Sequence, residues 1–526
     1  MKRPTSNLQS PISTYIIIAL LLVSFSLRLH ALLQLPGFID EGNHLRWASE
    51  VWQGRWLFPL ASGKPLLIYY EALFLPFPAA LWLGRAASVL TGVVILSGLY
   101  ALGRKWNRRT GFFAALFYAV TPWTFFHERL AVADSLVAAC AVVMMVAVFR
   151  YVTRLQTRRV FETLRVSEII LVLSMIALPL AKLSAVTLLV MPIVIGLVKT
   201  RRVSPTPLRY GALRETLRVL WMPYVFAITV LAILLGYANS RYSVGQEVIQ
   251  RAGFGQRTMM DWWVGNASDV VEWFRAYAIV IGLAIVAGIA IVLIRRQALG
   301  IIALIGFGIS AGTYLFAPST AYPRYYLPAL AFGCLLAGLC LDLIWRTLPK
   351  YVVDRESKQA VLSLIMLIPL FSTVEFLLFV YPSYIAPAQL RLATVDRQQH
   401  ITLWSSGYGI REAMQYVSEQ AKNESEPSII YVSDLAGMVT ARLYWTGNGK
   451  VLTLWDATMG ASVEDVDGRV ASGKPTFLLV DTDHFRANFV GLEVNPHELA
   501  RFQRPEGGKP IIVYRLKREQ FQFPPE

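Results

Sequence analysis

What constrains this chain most is the recurrence of apolar runs about 20 residues long, the length a helix needs to cross the hydrocarbon of a bilayer. They begin at 14–30 and return until 362–380, so one signal peptide cannot account for them, and the first reads as a retained helix. With 55% hydrophobic and only 16% charged side chains, and a mean hydropathy of +0.48, the chain is too apolar for a water-soluble globular protein of 526 residues. Its net charge of +16 does not point to nucleic acid, because the cations fall in short bursts between apolar runs rather than along one face. The three cysteines, Cys140, Cys334 and Cys340, lie inside those runs and suggest neither a disulfide framework nor a CxxC metal site.

The bursts give an orientation, since short loops rich in Lys and Arg stay in the cytoplasm. Lys2 and Arg3 precede the first run, and Arg104, Lys105, Arg108 and Arg109 follow the second. Arg150, Arg154, Arg158 and Arg159, then Lys199, Arg201, Arg202, Arg209 and Arg214, then Arg295 and Arg296, and finally Arg346, Lys350, Arg355 and Lys358 fall on the same side. About eleven spans follow, at 13–33, 79–103, 111–127, 130–149, 166–181, 183–198, 219–238, 275–294, 298–316, 325–345 and 359–381. The expected fold is a polytopic α-helical protein of the inner (plasma) membrane, with the N-terminus in the cytoplasm. The fifth and sixth spans are short legs of a hairpin interrupted by Pro179 and Lys182.

After Pro382 the sequence turns polar and its apolar runs shrink to strand length. Residues 1–384 therefore read as the membrane domain, and 385–526 as a soluble extracytoplasmic α/β domain. Strands are expected at SIIYVSD (428–434), VLTLWD (451–456), TFLLVD (476–481) and IIVYRL (511–516), with helices at 410–421 and 436–444.

The chemistry-bearing residues gather in the external loops. The first of these, 34–78, opens with adjacent carboxylates, Asp40 and Glu41. A carboxylate just outside the hydrocarbon can act as general base to a hydroxyl or amine while its neighbour positions that group; alternatively the pair caps the amphipathic segment 42–53. That segment mixes Trp47 and Trp52 with Arg46 and Glu50, the pattern of a helix lying in the interface. Lys64, in a Gly-Lys-Pro turn, is a phosphate contact or a snorkelling anchor.

Between the third and fourth spans lie His127, Glu128, Arg129 and Asp134, ionisable groups that need partners at such a boundary. Arg129 and Asp134 could pair locally, or His127 and Glu128 could join Asp40 around a divalent metal. Lys182 is costly where it stands unless it faces a cavity or an anion. Arg324, between Tyr322, Tyr325 and Tyr326, suits a phosphate with aromatic walls, or an interfacial belt. In the long external loop 239–273, Arg241, Arg251, Arg257, Asp261, Trp262, Trp263 and Trp273 suit either sugar stacking or the bilayer interface.

In order and spacing, IDEGNHLRWA, the GKP turn, LGRAASVLTG running to YALGRKW, HERLAVAD, the lone Lys182 and YPRYYLPAL resemble GT-C glycosyltransferases of the protein O-mannosyltransferase and lipid A aminoarabinose transferase group. The resemblance implies a hexosyl or pentosyl transferase acting with inversion on a polyprenyl-phosphate-linked sugar, with a protein, lipid or glycan as acceptor. It implies Asp40 as base with Glu41 beside it, and Asp134, Lys182 and Arg324 as donor-site residues; Lys64, Arg129 and Tyr325 complete the candidate phosphate site. No resident cofactor is implied beyond a possible divalent metal. A transporter or flippase of an anionic polyprenyl-linked lipid is the alternative, one that should show paired broken helices in symmetric halves. In a third reading the soluble tail is a receptor or assembly module.

Overall fold

The computed structural model describes residues 11–75, 79–157, 161–203, 210–242, 259–316, 321–348, 354–433, 435–453, 468, 470, 472–482 and 497–516. Of the residues invoked above, Lys2, Arg3, Arg158, Arg159, Arg209, Arg251, Arg257 and Lys350 lie outside them, as does the end of the expected strand 451–456. The chain divides into two compact units. The first comprises Met1–Leu32, Glu50–Phe74 and Leu83–Tyr384; the second comprises Leu33–Ser49, Leu75–Trp82 and Ile385–Glu526.

The first unit is a polytopic membrane bundle. Among the described residues, Ala80–Gly103, Ala133–Val152, Leu220–Ser240, Ala298–Leu315, Pro323–Thr347 and Glu356–Ile385 are long and apolar enough to cross a bilayer, and Thr14–Leu29, Val166–Ala181, Leu183–Val198 and Ile279–Arg295 are shorter apolar helices. The helices used below are α1 (Pro11–Leu29), α2 (Ile39–Trp52), α3 (Pro65–Ala72), α4 (Ala80–Gly103), α5 (Arg108–Ala119), α6 (Pro122–Glu128), α7 (Ala133–Thr157), α8 (Phe161–Ala181), α9 (Met191–Val203), α10 (Tyr210–Tyr242), α11 (Met259–Tyr277), α12 (Ile279–Arg295), α13 (Ala298–Leu315), α14 (Leu327–Thr347) and α15 (Arg355–Ile385).

Helix α14 is central and packs on α5, α12 and α13. Glycine permits that approach: a Cβ on Gly338 would stand 2.7 Å from the Ala114 amide nitrogen, and one on Gly288 2.6 Å from the Leu336 carbonyl oxygen. Helices α10 and α15 instead expose Trp221, Met222, Phe226, Leu364, Phe371 and Leu378, an outer surface suited to lipid rather than water.

Three local differences from the sequence expectation stand out. The span expected at 111–127 is two helices, because Pro122 has no amide proton to continue α5 and holds Thr121 in the extended region at φ −91° and ψ 121°. The span expected at 183–198 starts as a tighter 3-10 turn, Leu183–Val190, before α9. The stretch 239–273, expected as an external loop, carries helix α11 at its end.

The second unit holds a five-stranded sheet of β1 (Ser428–Val432), β2 (Gly449–Thr453), β3 (Thr476–Asp481), β4 (His497–Phe502) and β5 (Ile511–Arg515), in the order β2-β1-β3-β5-β4. Strand β1 runs parallel to β2 and β3, while β5 is antiparallel to β3 and β4. Side chains alternate across each strand, and both faces are covered: Ile430, Phe477, Leu479 and Val513 pack with α16 (Ile410–Ala421) and α17 (Leu435–Arg442), while Tyr431, Leu478 and Val480 gather with Leu516 on the other face. The four expected strands and two helices are present; β4, HELARF, escaped notice because its charges mask the period of two. Segment 33–49 belongs to this unit, tied in by the Gly37 amide donating to the Tyr444 hydroxyl at 2.5 Å and the Ile39 amide to the Ser405 carbonyl at 3.1 Å.

Candidate functional site

In the first unit the cation candidates converge on one carboxylate. Asp134 stands in the first turn of α7, where the helix dipole favours negative charge. Lys182 reaches it because Pro179 interrupts the hydrogen bonding of α8, which ends at Ala181 and leaves Lys182 extended at φ −163° and ψ 127°. Its Nζ donates to Asp134 Oδ1 at 2.7 Å, and Arg324 Nε lies 3.6 Å from Oδ2. Arg324 sits in a 3-10 turn, Pro323–Tyr326, anchored by the Trp123 indole donating to the Pro323 carbonyl at 2.9 Å.

Lys64 belongs to the same neighbourhood. The Leu183 amide donates to the Gly63 carbonyl at 3.2 Å, which joins the GKP turn to the Lys182 turn, and the Lys64 charge acts on Asp134. The walls are aromatic. Lys182 Nζ is 3.3 Å from the Tyr325 ring centre and 5.4 Å from that of Tyr314, and the Arg324 guanidinium carbon is 4.6 Å from that of Tyr322. Ser184 Oγ and the Tyr314 hydroxyl, unremarked in the sequence, share a 2.6 Å hydrogen bond beside Lys182. Lys182, Arg324 and Tyr325 thus come together around Asp134, with the Lys64 charge acting on the same carboxylate.

Arg129 points elsewhere. It donates to the carbonyls of His30 and Ala31 at 2.9 and 2.8 Å, and to Ser383 at 3.2 Å, so it closes the end of α1 instead of pairing with Asp134. Arg85 does similar work on the Leu32 carbonyl at 2.5 Å. Glu128 is committed to Arg28 at 2.6 Å and to the Tyr118 hydroxyl at 2.8 Å, and His127 Nδ1 lies 2.8 Å from the Trp123 carbonyl. Among the described residues no three His, Cys, Asp or Glu side chains are grouped to hold a metal.

In the second unit Asp40 and Glu41 occupy the first turn of α2. Glu41 is fully buried and accepts the Phe38 amide at 3.2 Å, the reciprocal cap of a helix start, whereas Asp40 is partly exposed. The two neighbours therefore differ in environment: Glu41 is held inside the unit, while Asp40 keeps access to solvent.

No protein-family model and no curated protein sequence matches the chain. Solved structures do. ArnT from Cupriavidus metallidurans in the apo state matches with TM-score 0.55 and 13% identity over 98% of this chain and 99% of that one. The same protein bound to undecaprenyl phosphate matches with TM-score 0.56 and 14% identity over 95% and 97%. The Archaeoglobus fulgidus oligosaccharyltransferase in the apo form matches with TM-score 0.55 and 11% identity over 90% of this chain and 70% of that one. At these identities the likeness is one of fold, and the chain has the GT-C fold that ArnT and the archaeal oligosaccharyltransferase share.

Proposed function

We propose that the chain is a membrane glycosyltransferase that moves a hexosyl or pentosyl group from a polyprenyl-phosphate donor to an extracytoplasmic acceptor, with inversion. The observation that carries this reading is the convergence on Asp134 of Lys182 and Arg324, with the Lys64 charge acting on the same carboxylate, beside aromatic rings. The phosphodiester of a lipid-linked sugar, which leaves as the lipid phosphate monoester, is an anion that such cations can hold. As the glycosidic bond breaks, charge grows on the leaving phosphate, and fixed cations stabilise it most at that moment. That one neighbour of the same fold is bound to undecaprenyl phosphate supports the choice of donor.

Asp40 acts as general base. The acceptor's O–H or N–H attacks the anomeric carbon, its proton passes to the Asp40 carboxylate, the bond from that carbon to the phosphate oxygen breaks, and the lipid phosphate leaves from the opposite face. Glu41 holds the first turn of α2 through the Phe38 amide and so positions its neighbour. Residues 1–384 carry the membrane transferase and 385–526 the extracytoplasmic domain; the N-terminus is cytoplasmic and the protein resides in the inner membrane.

The test is to incubate the purified chain with a panel of polyprenyl-phosphate sugars and follow free lipid phosphate. Release that needs an acceptor, and that falls by about 10²–10⁴ in Asp40→Asn with thermal stability kept, supports the proposal. Lipid that crosses a vesicle membrane with its sugar bond intact identifies a flippase instead. Labelling that puts residues 40 and 41 in the cytosol overturns the orientation and the reaction together.

A further inference from the structure

The second unit contains a cavity of about 990 Å³ that the reaction outlined above leaves unused. One wall is the stripe Gly42, Leu45, Arg46 and Ser49 of α2; the others come from segment 79–82, from α16 and from the end of α17 with the residues that follow it. At 100° per residue, Asp40 falls on the stripe of His44, Trp47 and Val51, about 180° around the helix from the cavity wall. The base and the cavity therefore occupy opposite sides of one helix.

The lining has a definite chemistry. It holds three guanidinium groups, Arg46, Arg411 and Arg442, and one carboxylate, Glu412, which Arg411 already chelates at 2.8 and 3.0 Å. Arg442 is held by two hydrogen bonds to the Val451 carbonyl, at 3.2 and 3.0 Å. Burial, and then the like charge of Arg46, lower the pKa of Arg442. Flat aromatic side chains, Trp82, Tyr444 and Trp445, alternate with the amides and hydroxyls of Gln34, Gln415, Ser49 and Thr446. The Trp445 indole is packed against Gly447, where a Cβ would stand 2.4 Å from the ring, and its Nε1 donor is buried with no hydrogen-bond partner among the described residues.

A hydrocarbon tail would exclude water from these charged and polar groups without offering them any hydrogen bond, and an acidic peptide would use the arginines but not the flat faces. A sugar ring presents a C–H face for an aromatic side chain and hydroxyls for amides, and an acidic substituent pairs with guanidinium in a forked geometry. We propose that this cavity is an exosite for an acidic saccharide, the remote part of the acceptor, whose anionic group pairs with Arg46 and Arg442 while its rings lie against Trp82 and Trp445. The assignment rests on the transferase reading for its place in the reaction. Binding energy gathered away from the reacting centre can then orient the acceptor for attack.

Binding to the full chain in detergent, read by tryptophan fluorescence and calorimetry, tests this without turnover. The probes are trigalacturonate, maltotriose carrying a terminal phosphate, plain maltotriose, inorganic phosphate and triglutamate. At least one acidic saccharide is expected to bind tenfold or more tighter than the other three, and to weaken as salt rises. Arg46→Gln should weaken it about tenfold and Trp82→Ala several-fold, each with an unchanged melting temperature, while Asp40→Asn should bind like the parent chain. Failure of both acidic saccharides, equal binding of triglutamate or phosphate, insensitivity to Arg46→Gln, or loss of binding in Asp40→Asn overturns the exosite. If no donor is consumed under any condition but saccharide binding holds, the transferase reading alone fails.

Discussion

Glu128 and Asp134 are both buried carboxylates at one end of the bundle, and they are satisfied in opposite ways. Glu128 meets a single guanidinium, Arg28, and both side chains are at most 1% exposed. Every other reach of Arg28 is also taken, by Ser24, the Ala119 carbonyl and Thr124. Even the backbone is shaped to this pair, since a Cβ on Gly92 of α4 would stand 2.6 Å from Glu128 Oε2. Asp134, by contrast, is shared between Lys182 and Arg324 with Lys64 near, and Lys182 keeps 13% of its side chain accessible. A single pair sealed from solvent suits holding helices together; a cluster of cations around one carboxylate, partly reachable, is what the transferase proposal needs for an anionic donor. The two arrangements make different predictions, although both carboxylates are buried.

The largest effect should come from breaking the sealed pair. Glu128→Ala strands Arg28 without its counter-charge, and the loss is expected at about 3–5 kcal/mol of stability. Thermal unfolding in detergent reads this as a large drop in melting temperature or as failure to fold. Arg28→Met combined with Glu128→Leu should recover most of it, because neither charge is then buried alone. A Glu128→Ala protein as stable as the parent would erase the distinction drawn here.

The open cluster should respond the other way. On the transferase proposal, Lys182→Gln or Arg324→Gln should remove a charged contact to the donor phosphate of about 1.5–3 kcal/mol, a loss of roughly 10- to 150-fold in kcat/KM for lipid-phosphate release. Melting temperature should barely move, since Asp134 keeps its other cation. If these variants unfold as Glu128→Ala does while donor use per folded molecule is unchanged, the cluster is structural.

The bundle was legible from apolar run length because a bilayer dictates that length and leaves little else to choose. The sheet was legible where strands alternate or run fully apolar, as in β1 and β3, both buried along their length, and was lost at β4. The site was legible only as a set of costly ions. Which ion meets which was not, because Asp134 and Lys182 are 48 residues apart and their meeting depends on the break after Ala181. The near neighbour in sequence, Arg129, turns instead to the end of α1, whose last carbonyls have no partner within the helix. Arg28 was passed over inside the first apolar run, although an Arg at such a place is itself the signal that a buried acid exists. Ser184 and Tyr314 carry no such signal, since polar residues of their kind are common in apolar helices.

Asp134→Asn sharpens the contrast at a smaller scale. It removes the carboxylate that Lys182 and Arg324 share, so the free protein should lose stability. Undecaprenyl phosphate restores the missing negative charge, and it is expected to stabilise this variant by about 1 kcal/mol more than it stabilises the parent, read as a larger ligand-induced rise in melting temperature. An equal rise in both proteins would mean that the lipid phosphate does not sit among these cations.

The smallest effect isolates the aromatic wall. With Lys182 Nζ 3.3 Å from the centre of the Tyr325 ring, the ring's negative face offsets part of the ammonium charge and holds it in place without neutralising it. Such a contact contributes about 0.5–1 kcal/mol at a partly exposed site, so Tyr325→Leu should raise KM for the donor about two- to fivefold. Tyr325→Phe keeps the ring and should leave KM alone, which distinguishes the ring face from the phenol hydroxyl. The same leucine change is expected to leave the melting temperature within a degree or two, because the Arg28–Glu128 pair, not this wall, ties the helices. A Tyr325→Phe protein as impaired as Tyr325→Leu would move the role from the ring to its hydroxyl, and the cluster would then bind its anion by hydrogen bonding as much as by charge.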